Sequence, residues 1–428
     1  MKKISLLALF CASVFALDAQ HIMPCLHDLG VKINEEKHPG YRQAVNNVFE
    51  DVKHSVSPRT GEIYRVPVVV HVVWKDSAEN IPMAQIDDQM AELNRCYRRQ
   101  NADTTNMRPI FEDVAGDPGI EFYIHEVVRV ETDAEFEPSL TGLPDNVKQS
   151  SDGGSDAFNT ENFLNIWVCK IQPLVLFGQE SPVLGYAYPP ANLPGWPANA
   201  SAPSPELEGV VVDYRAFGTG MIYPMSQIGD LPIEGRTTVH EVGHYLGLRH
   251  ISGDGLSGQL GIPDCDADDG VNDTPNQGLQ SQFNCDASQN TCDEGMGDRP
   301  DMIENYMDYS QETCQNTFTL NQIDIMRGVL EGPRVGLLNP STSVNDFAAS
   351  NSFEVFPNPF NSSITVDLKS ETNGSYFLTD LLGKRIAAGK ITGERIDLNL
   401  SDLQDGIYNF SVQTKNGEMI TKRIIKTQ

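Results

Sequence analysis

The pattern of apolar and polar positions changes several times along the chain, and each change marks an element. RVPVVVHVVW (65–74) is continuous and β-branched, as expected of a strand buried on both faces. IEFYIHEVVRV (120–130) and LNIWVCKI (164–171) predict further strands, and GYAYPP (185–190) and GVVVDYRAFG (209–218) two more. A Pro/Ala/Ser-rich loop, Pro189 to Pro205, separates those last two. In IDDQMAELNRCYRRQN (86–101) the spacing of Ile86, Met90, Leu93 and Tyr97 predicts a helix. Helices are also expected through TVHEVGHYLGLRH (238–250), near Leu320 to Leu330, and around Gly40 to Val52 in the otherwise polar segment 21–57. From Phe353 onward SITVDL, SYFLTDLLG, RIDLNL, GIYNFSVQT and MITKRIIK alternate between Gly, Asn and Asp turns. About seven short strands in that tail predict a small β-sandwich.

Composition narrows this picture. The formal charge of −28 argues against nucleic acid as a partner, because phosphate binding needs a basic face. MKKISLLALFCASVFALDAQ reads as a secretory signal peptide over 1–20, its apolar run from Ile4 to Leu17 being too short to span a bilayer. Cys11 inside that run leaves a lipoprotein signal open, and no later segment reads as transmembrane. Export makes disulfides possible. Cys265, Cys285, Cys292 and Cys314 fall within fifty residues and predict two bridges, with three connectivities open. Cys96 and Cys169 read as buried thiols, and His71 as a satisfied core histidine. Residues 251–315 hold fourteen acids and one base, Arg299, so disulfides and bound cations are the expected supports. The tail is neutral, with nine acids and nine bases, and has neither cysteine nor histidine. Chemistry is not expected there.

The chemistry sits in 238–250. Residues four apart share a helix face, so His240 and His244 can point at one ion. Glu241 lies about 100° round and can reach a water on that ion without being a ligand. A continuing helix would carry His250 to the wrong side, but Gly247 can take the left-handed conformation that turns the chain back. Three neutral imidazoles leave a fourth position for water, the arrangement of a catalytic zinc. Glu241 is then the general base of peptide-bond hydrolysis.

H-E-x-x-H-x-x-G-x-x-H, followed by ENYMDYSQETC (304–314), resembles the pappalysin-like group of metzincins over about residues 60 to 335. The resemblance implies an α+β fold: a twisted mixed sheet with an active-site helix and a loop-rich C-terminal subdomain. It makes Met307 the methionine turn beneath the metal and Tyr309 the hydroxyl facing the tetrahedral intermediate. Glu312 stands where the family has an aspartate at the floor of the pocket for the residue after the scissile bond, which selects Arg or Lys. The longer arm puts the fit in question, and a solvated acid is the alternative. CDADDGVNDTP (265–275) matches the family's calcium loop, with Asp269, the Val271 carbonyl and Thr274 as ligands and Asp268 and Asp273 close by, for one or two ions. The same resemblance pairs Cys265 with Cys292 and Cys285 with Cys314. Cys25, in HIMPCLHDLG, matches a cysteine switch that fills the zinc's open position, although Leu26 stands where the family has glycine; a free thiol is the alternative. FEVFPNPFNSSITV, DLLGKRI and the basic KRIIK resemble the sorting domain of the type IX secretion pathway of Bacteroidetes.

The expected organisation is a signal peptide (1–20), a pro-segment (21–57), a metzincin domain (58–336), a linker (337–349) and a small Ig-like β-sandwich sorting domain (350–428). The expected function is a zinc endopeptidase, secreted or held on the outer cell surface. It would act on proteins or peptides, and its tail would engage the type IX machinery. A metzincin of broader specificity and a cell-surface adhesin with a non-catalytic metal site are the alternatives.

Overall fold

The computed structural model describes residues 22–54, 61–176, 178–191, 200–225, 229–253, 255–259, 261–338, 353–379, 385–401, 403–414 and 419–427. The expected signal peptide, with Cys11, and the linker lie outside these residues save for 337 and 338. The chain divides into two compact units, 1–340 and 341–428.

In the first unit, helices α1 (His27–Lys37) and α2 (Tyr41–Lys53) precede strand β1 (Tyr64–Trp74). Helix α3 (Met83–Tyr97) and strands β2 (Ile120–Glu131) and β3 (Leu164–Cys169) follow. Next come a ribbon of β4 (Leu174–Leu176) and β5 (Gln179–Ser181), then β6 (Gly185–Ala187), β7 (Val210–Asp213) and the pair β8 (Thr219–Tyr223) and β9 (Leu231–Glu234). Helices α4 (Arg236–Tyr245), α5 (Leu256–Gln259) and α6 (Leu320–Glu331) complete it.

The main sheet runs β2-β1-β3-β7-β6. Its first four strands are parallel, and β6 pairs antiparallel at the edge. Side chains alternate across it. Val66, Val68, Val70, Val72, Ile166 and Val212 share one core with Ile86, Met90 and Leu93 of α3, Val239 and Val242 of α4, and Ile323 and Met326 of α6. Val73, Trp167, Cys169 and Val211, on the other face, share a second core with Leu26, Leu29 and Ile33 of the N-terminal segment. Both faces are covered, which is why the strands read as unbroken apolar runs.

The helix expected over 40–52 is α2, but α1 is not foreseen in the sequence. Its buried residues include His27, Asp28 and Asn34 beside Leu29, Val31 and Ile33, so no clean apolar stripe announces it. His71 is satisfied by Ser155 Oγ at 2.8 Å and Asn165 Oδ1 at 2.9 Å, and Cys96 and Cys169 are buried free thiols.

Among the described residues the second unit has five antiparallel strands, where about seven are expected: β10 (Phe353–Phe356), β11 (Ser363–Thr379), β12 (Arg385–Asn399), β13 (Gly406–Thr414) and β14 (Met419–Lys426). β11 pairs with β10 through Phe356↔Thr365 and its neighbours, then with β13 through 374–379, with a register shift against β12 between Asp367 and Thr372. The two long strands, β11 and β12, pair with each other on both sides of that shift, within one five-stranded sheet. Glycines that read as turns lie inside them. Gly389 sits opposite Tyr376, whose ring would meet an added Cβ at 2.5 Å, and Gly393, with φ of +115°, lies at the shift.

Candidate metal centre

The helix that carries the motif is only ten residues long and wholly buried. Four donors meet the Glu312 carboxylate at its start: the amides of Glu234 (2.5 Å), Arg236 (3.1 Å) and Thr237 (2.8 Å), and the Thr237 hydroxyl (2.6 Å). An acid at a helix N-terminus satisfies amides that have no partner within the helix and complements its dipole. Glu312 is 5% exposed, its carboxylate turned onto the start of the helix. It also lines a pocket, together with Leu184, Leu231, Arg236, Thr237, Glu241 and Tyr309.

At the other end Leu246 and Gly247 close the helix, their amides reaching Val242 O and His244 O at 2.9 Å each. Gly247 has φ of +92°, the left-handed conformation that brings the chain back. His250 then meets the other two histidines. The Nε2 atoms of His240, His244 and His250 form a triangle with edges of 3.0, 3.1 and 3.2 Å. Each Nδ1 faces an acceptor: Tyr306 O at 2.7 Å for His240, Leu248 O at 2.9 Å for His244 and Asp28 Oδ2 at 3.1 Å for His250. Carbonyl and carboxylate oxygens only accept, so the proton of each neutral ring sits on Nδ1 and three Nε2 lone pairs face one another. Burial, and next the neighbouring histidines, hold His240 and His244 well below the ordinary histidine range, so both rings are neutral. Three lone pairs aimed at one point repel unless a cation lies between them. Nitrogens around a tetrahedral zinc stand about 3.3 Å apart for bonds of about 2.0–2.1 Å. The residues fit such an ion.

Cys25 Sγ joins the three nitrogens within 4.8 Å and lies 3.5 Å from Glu241 Oε2. Burial, and next the Glu241 carboxylate, hold its thiol well above the ordinary range, so a thiolate there requires a cation. Burial pushes Glu241 up to about 8, opposed by its contact with Cys25. Cys25 is held by the sheet edge: it bridges Gly185 in parallel, with Leu26 N donating to Gly185 O at 3.1 Å and Leu184 N to Pro24 O at 2.7 Å. Tyr309 is buried, its hydroxyl donating to Cys25 O at 3.4 Å and its ring centre 4.9 Å from that of His250. Met307 lies under the helix, where a Cβ on Gly243 would meet its sulfur at 2.6 Å.

Around Asp269 the oxygens of three residues converge. Thr274 Oγ1 lies 2.9 and 3.0 Å from the two Asp269 carboxylate oxygens and 2.9 Å from the Val271 carbonyl. Asp268 turns instead onto Gly270 N, and Asp273 onto Asn321 N at the start of α6. The trio is together; those two acids are engaged elsewhere. The disulfides join Cys265 to Cys292 and Cys285 to Cys314.

Three residues at this centre carry no motif that marks them in the sequence. His27 stacks on His244 at 3.9 Å with planes 5° apart, and Asp28 meets His250. Both stand in the stretch that drew attention to Cys25. Gly185 touches Glu241: an added Cβ would lie 2.9 Å from Glu241 Cγ, from its Oε1 and from Val211 O. Gly185→Ala therefore displaces the carboxylate. The expected result is a kcat about ten- to a hundredfold lower with metal content unaltered. Equal kcat would mean that Glu241 needs no room at the sheet edge.

A mixed sheet, a short helix bearing H-E-x-x-H and a third histidine returned by a glycine turn are the build of a metalloprotease. Residues 232–331 match the family described as pregnancy-associated plasma protein-A, and 354–427 match the secretion system C-terminal sorting domain. Mature mirolysin of Tannerella forsythia, solved with a cleaved peptide, is 35% identical, with a TM-score of 0.54 over 65% of this chain and 96% of that one. A promirolysin variant from the same organism is 32% identical, with a TM-score of 0.59 over 74% and 97%. An extracellular metalloprotease of Arthroderma benhamiae is 41% identical over 110 residues, which are 25% of this chain and only 34% of that relative. The chain belongs to the pappalysin-type metalloprotease family and ends in a type IX secretion sorting domain.

Proposed function

We propose that this chain is a zinc-dependent endopeptidase, made as a zymogen, sent to the outer surface or beyond by its sorting domain, and acting on proteins or peptides. The observation that carries the reading is the Nε2 triangle of His240, His244 and His250, with every Nδ1 committed to an acceptor. Zinc bound there supplies Lewis acidity to the attacking water and the scissile carbonyl. Glu241 takes the proton of that water and passes it to the leaving amine. The Tyr309 hydroxyl, once freed from Cys25 O, donates to the oxygen of the tetrahedral intermediate. Met307 supports the helix from below. Calcium at Asp269, the Val271 carbonyl and Thr274 would hold the acidic loops, with Asp268 and Asp273 in its surroundings.

The pocket beside Glu241 is lined by Asp308, Glu312 and Arg236, whose guanidinium is paired with Glu92 and with Asp103 at 2.9 Å. A basic side chain after the scissile bond fits that balance. Glu312 also caps α4, so Glu312→Gln, which keeps one acceptor oxygen, is the informative change. Digestion of a peptide library, reading the residue after each cut, tests the proposal. Cuts before Arg and Lys are expected, falling about ten- to a hundredfold with Glu312→Gln. Cuts before apolar residues that ignore the substitution would favour the broader-specificity reading. Zinc absent from the purified protein would end the proposal altogether.

A further inference from the structure

Two of the three Nδ1 acceptors, Tyr306 O and Leu248 O, belong to the enzyme body, whereas the third, the Asp28 carboxylate, comes from α1 in the N-terminal segment. Asp28 is 2% exposed, and a carboxylate so buried needs compensation. Cys25, His27 and Asp28 come from four consecutive positions. Sulfur approaches the Nε2 triangle, the His27 ring lies flat on His244 at 3.9 Å, and the carboxylate meets the outer nitrogen of His250. The first turn of α1 explains the spacing: His27 N points back at Cys25 Sγ at 3.4 Å, and Asp28 occupies the turn where an acid suits the helix dipole. Leu26, in place of the family's glycine, is buried in the second core and anchors the group.

A dication held by three neutral imidazoles brings two uncompensated charges into a buried site. Cys25 as thiolate and Asp28 as carboxylate supply two negative charges from one segment. An acceptor on the outer nitrogen also fixes the ligand's tautomer and raises its basicity. We propose that Asp28 is an outer positioning residue of the metal centre, so that the zymogen, beyond being blocked by Cys25, is the form that captures and retains zinc most tightly. Processing then removes the thiolate and the acceptor of His250 together, leaving a centre open to solvent and more weakly held.

This inference rests on the metal reading above, and its test separates the two. In the full chain carrying Glu241→Ala, which prevents self-cleavage, zinc affinity is measured by chelator competition with and without Asp28→Asn or Asp28→Ala. Zinc affinity about ten- to a hundredfold lower is expected, with the melting temperature of the zinc-free protein unchanged. The processed wild-type enzyme, lacking 21–57, should also bind zinc at least tenfold more weakly than the full chain, which keeps the test informative if an Asp28 variant misfolds. Equal affinity with and without Asp28, or before and after processing, would overturn the proposal while leaving the metal reading standing. Failure of every form to bind zinc would overturn both.

Discussion

Glu241→Ala is expected to lower kcat/KM on an unfolded protein substrate by about 10²–10⁴-fold while zinc content and melting temperature stay as they are. The carboxylate ligates nothing in the triangle. It lies beside it, touching Cys25 Sγ at 3.5 Å and facing the backbone of Gly185. Truncation removes a buried acid whose neighbours are a thiol and a glycine, so no paired cation is left stranded and the fold has little to lose. The substrate water keeps its Lewis acid and loses its proton acceptor. Kinetics on the processed enzyme, beside elemental analysis of the same sample, read the two quantities separately. A rate equal to wild type would show that another group takes the proton, and the roles assigned to the motif would have to be redrawn.

Gly247→Ala should act through the metal. At φ of +92° a residue with a Cβ is strained, and that Cβ would stand 3.0 Å from Val329 Cγ2. Strain of about 1–3 kcal/mol can be relieved by letting the 247–250 turn relax, which withdraws His250 from the triangle. If relief is taken that way, zinc affinity falls about ten- to a hundredfold, since 1.4 kcal/mol is a factor of ten. Melting with and without added zinc checks it: the stabilisation by zinc should shrink in the variant. Full stabilisation would mean that the turn holds its shape without glycine.

The motif was legible because its geometry is local. Four-residue spacing, a glycine turn and a third histidine can be read along thirteen positions, and the structure brings His240, His244 and His250 together as the spacing requires. The outer acceptors were not legible, because they are long-range. Asp28 lies 222 residues from His250, and nothing in the sequence separates it from any other acid in a first helical turn. Glu312 was half legible: its identity as a buried pocket carboxylate followed from the resemblance, but its hold on three amides of the 234–237 turn depends on tertiary packing. In the tail, glycine misled. Positions 389 and 393 read as turns but are strand positions: a facing ring leaves no room for a side chain at 389, and 393 has an unusual φ beside the register shift.

The second core has a bearing on activation. Met23, Leu26, Leu29 and Ile33 are each at most 3% exposed, packed with Phe136, Leu174, Val183 and Tyr186. Covering each such side chain contributes roughly 1.5–3 kcal/mol. Severing one peptide bond after α2 would remove a tether but not this adhesion, so a molecule nicked there is expected to stay shut. Release of this segment would therefore take a further cut within 22–37.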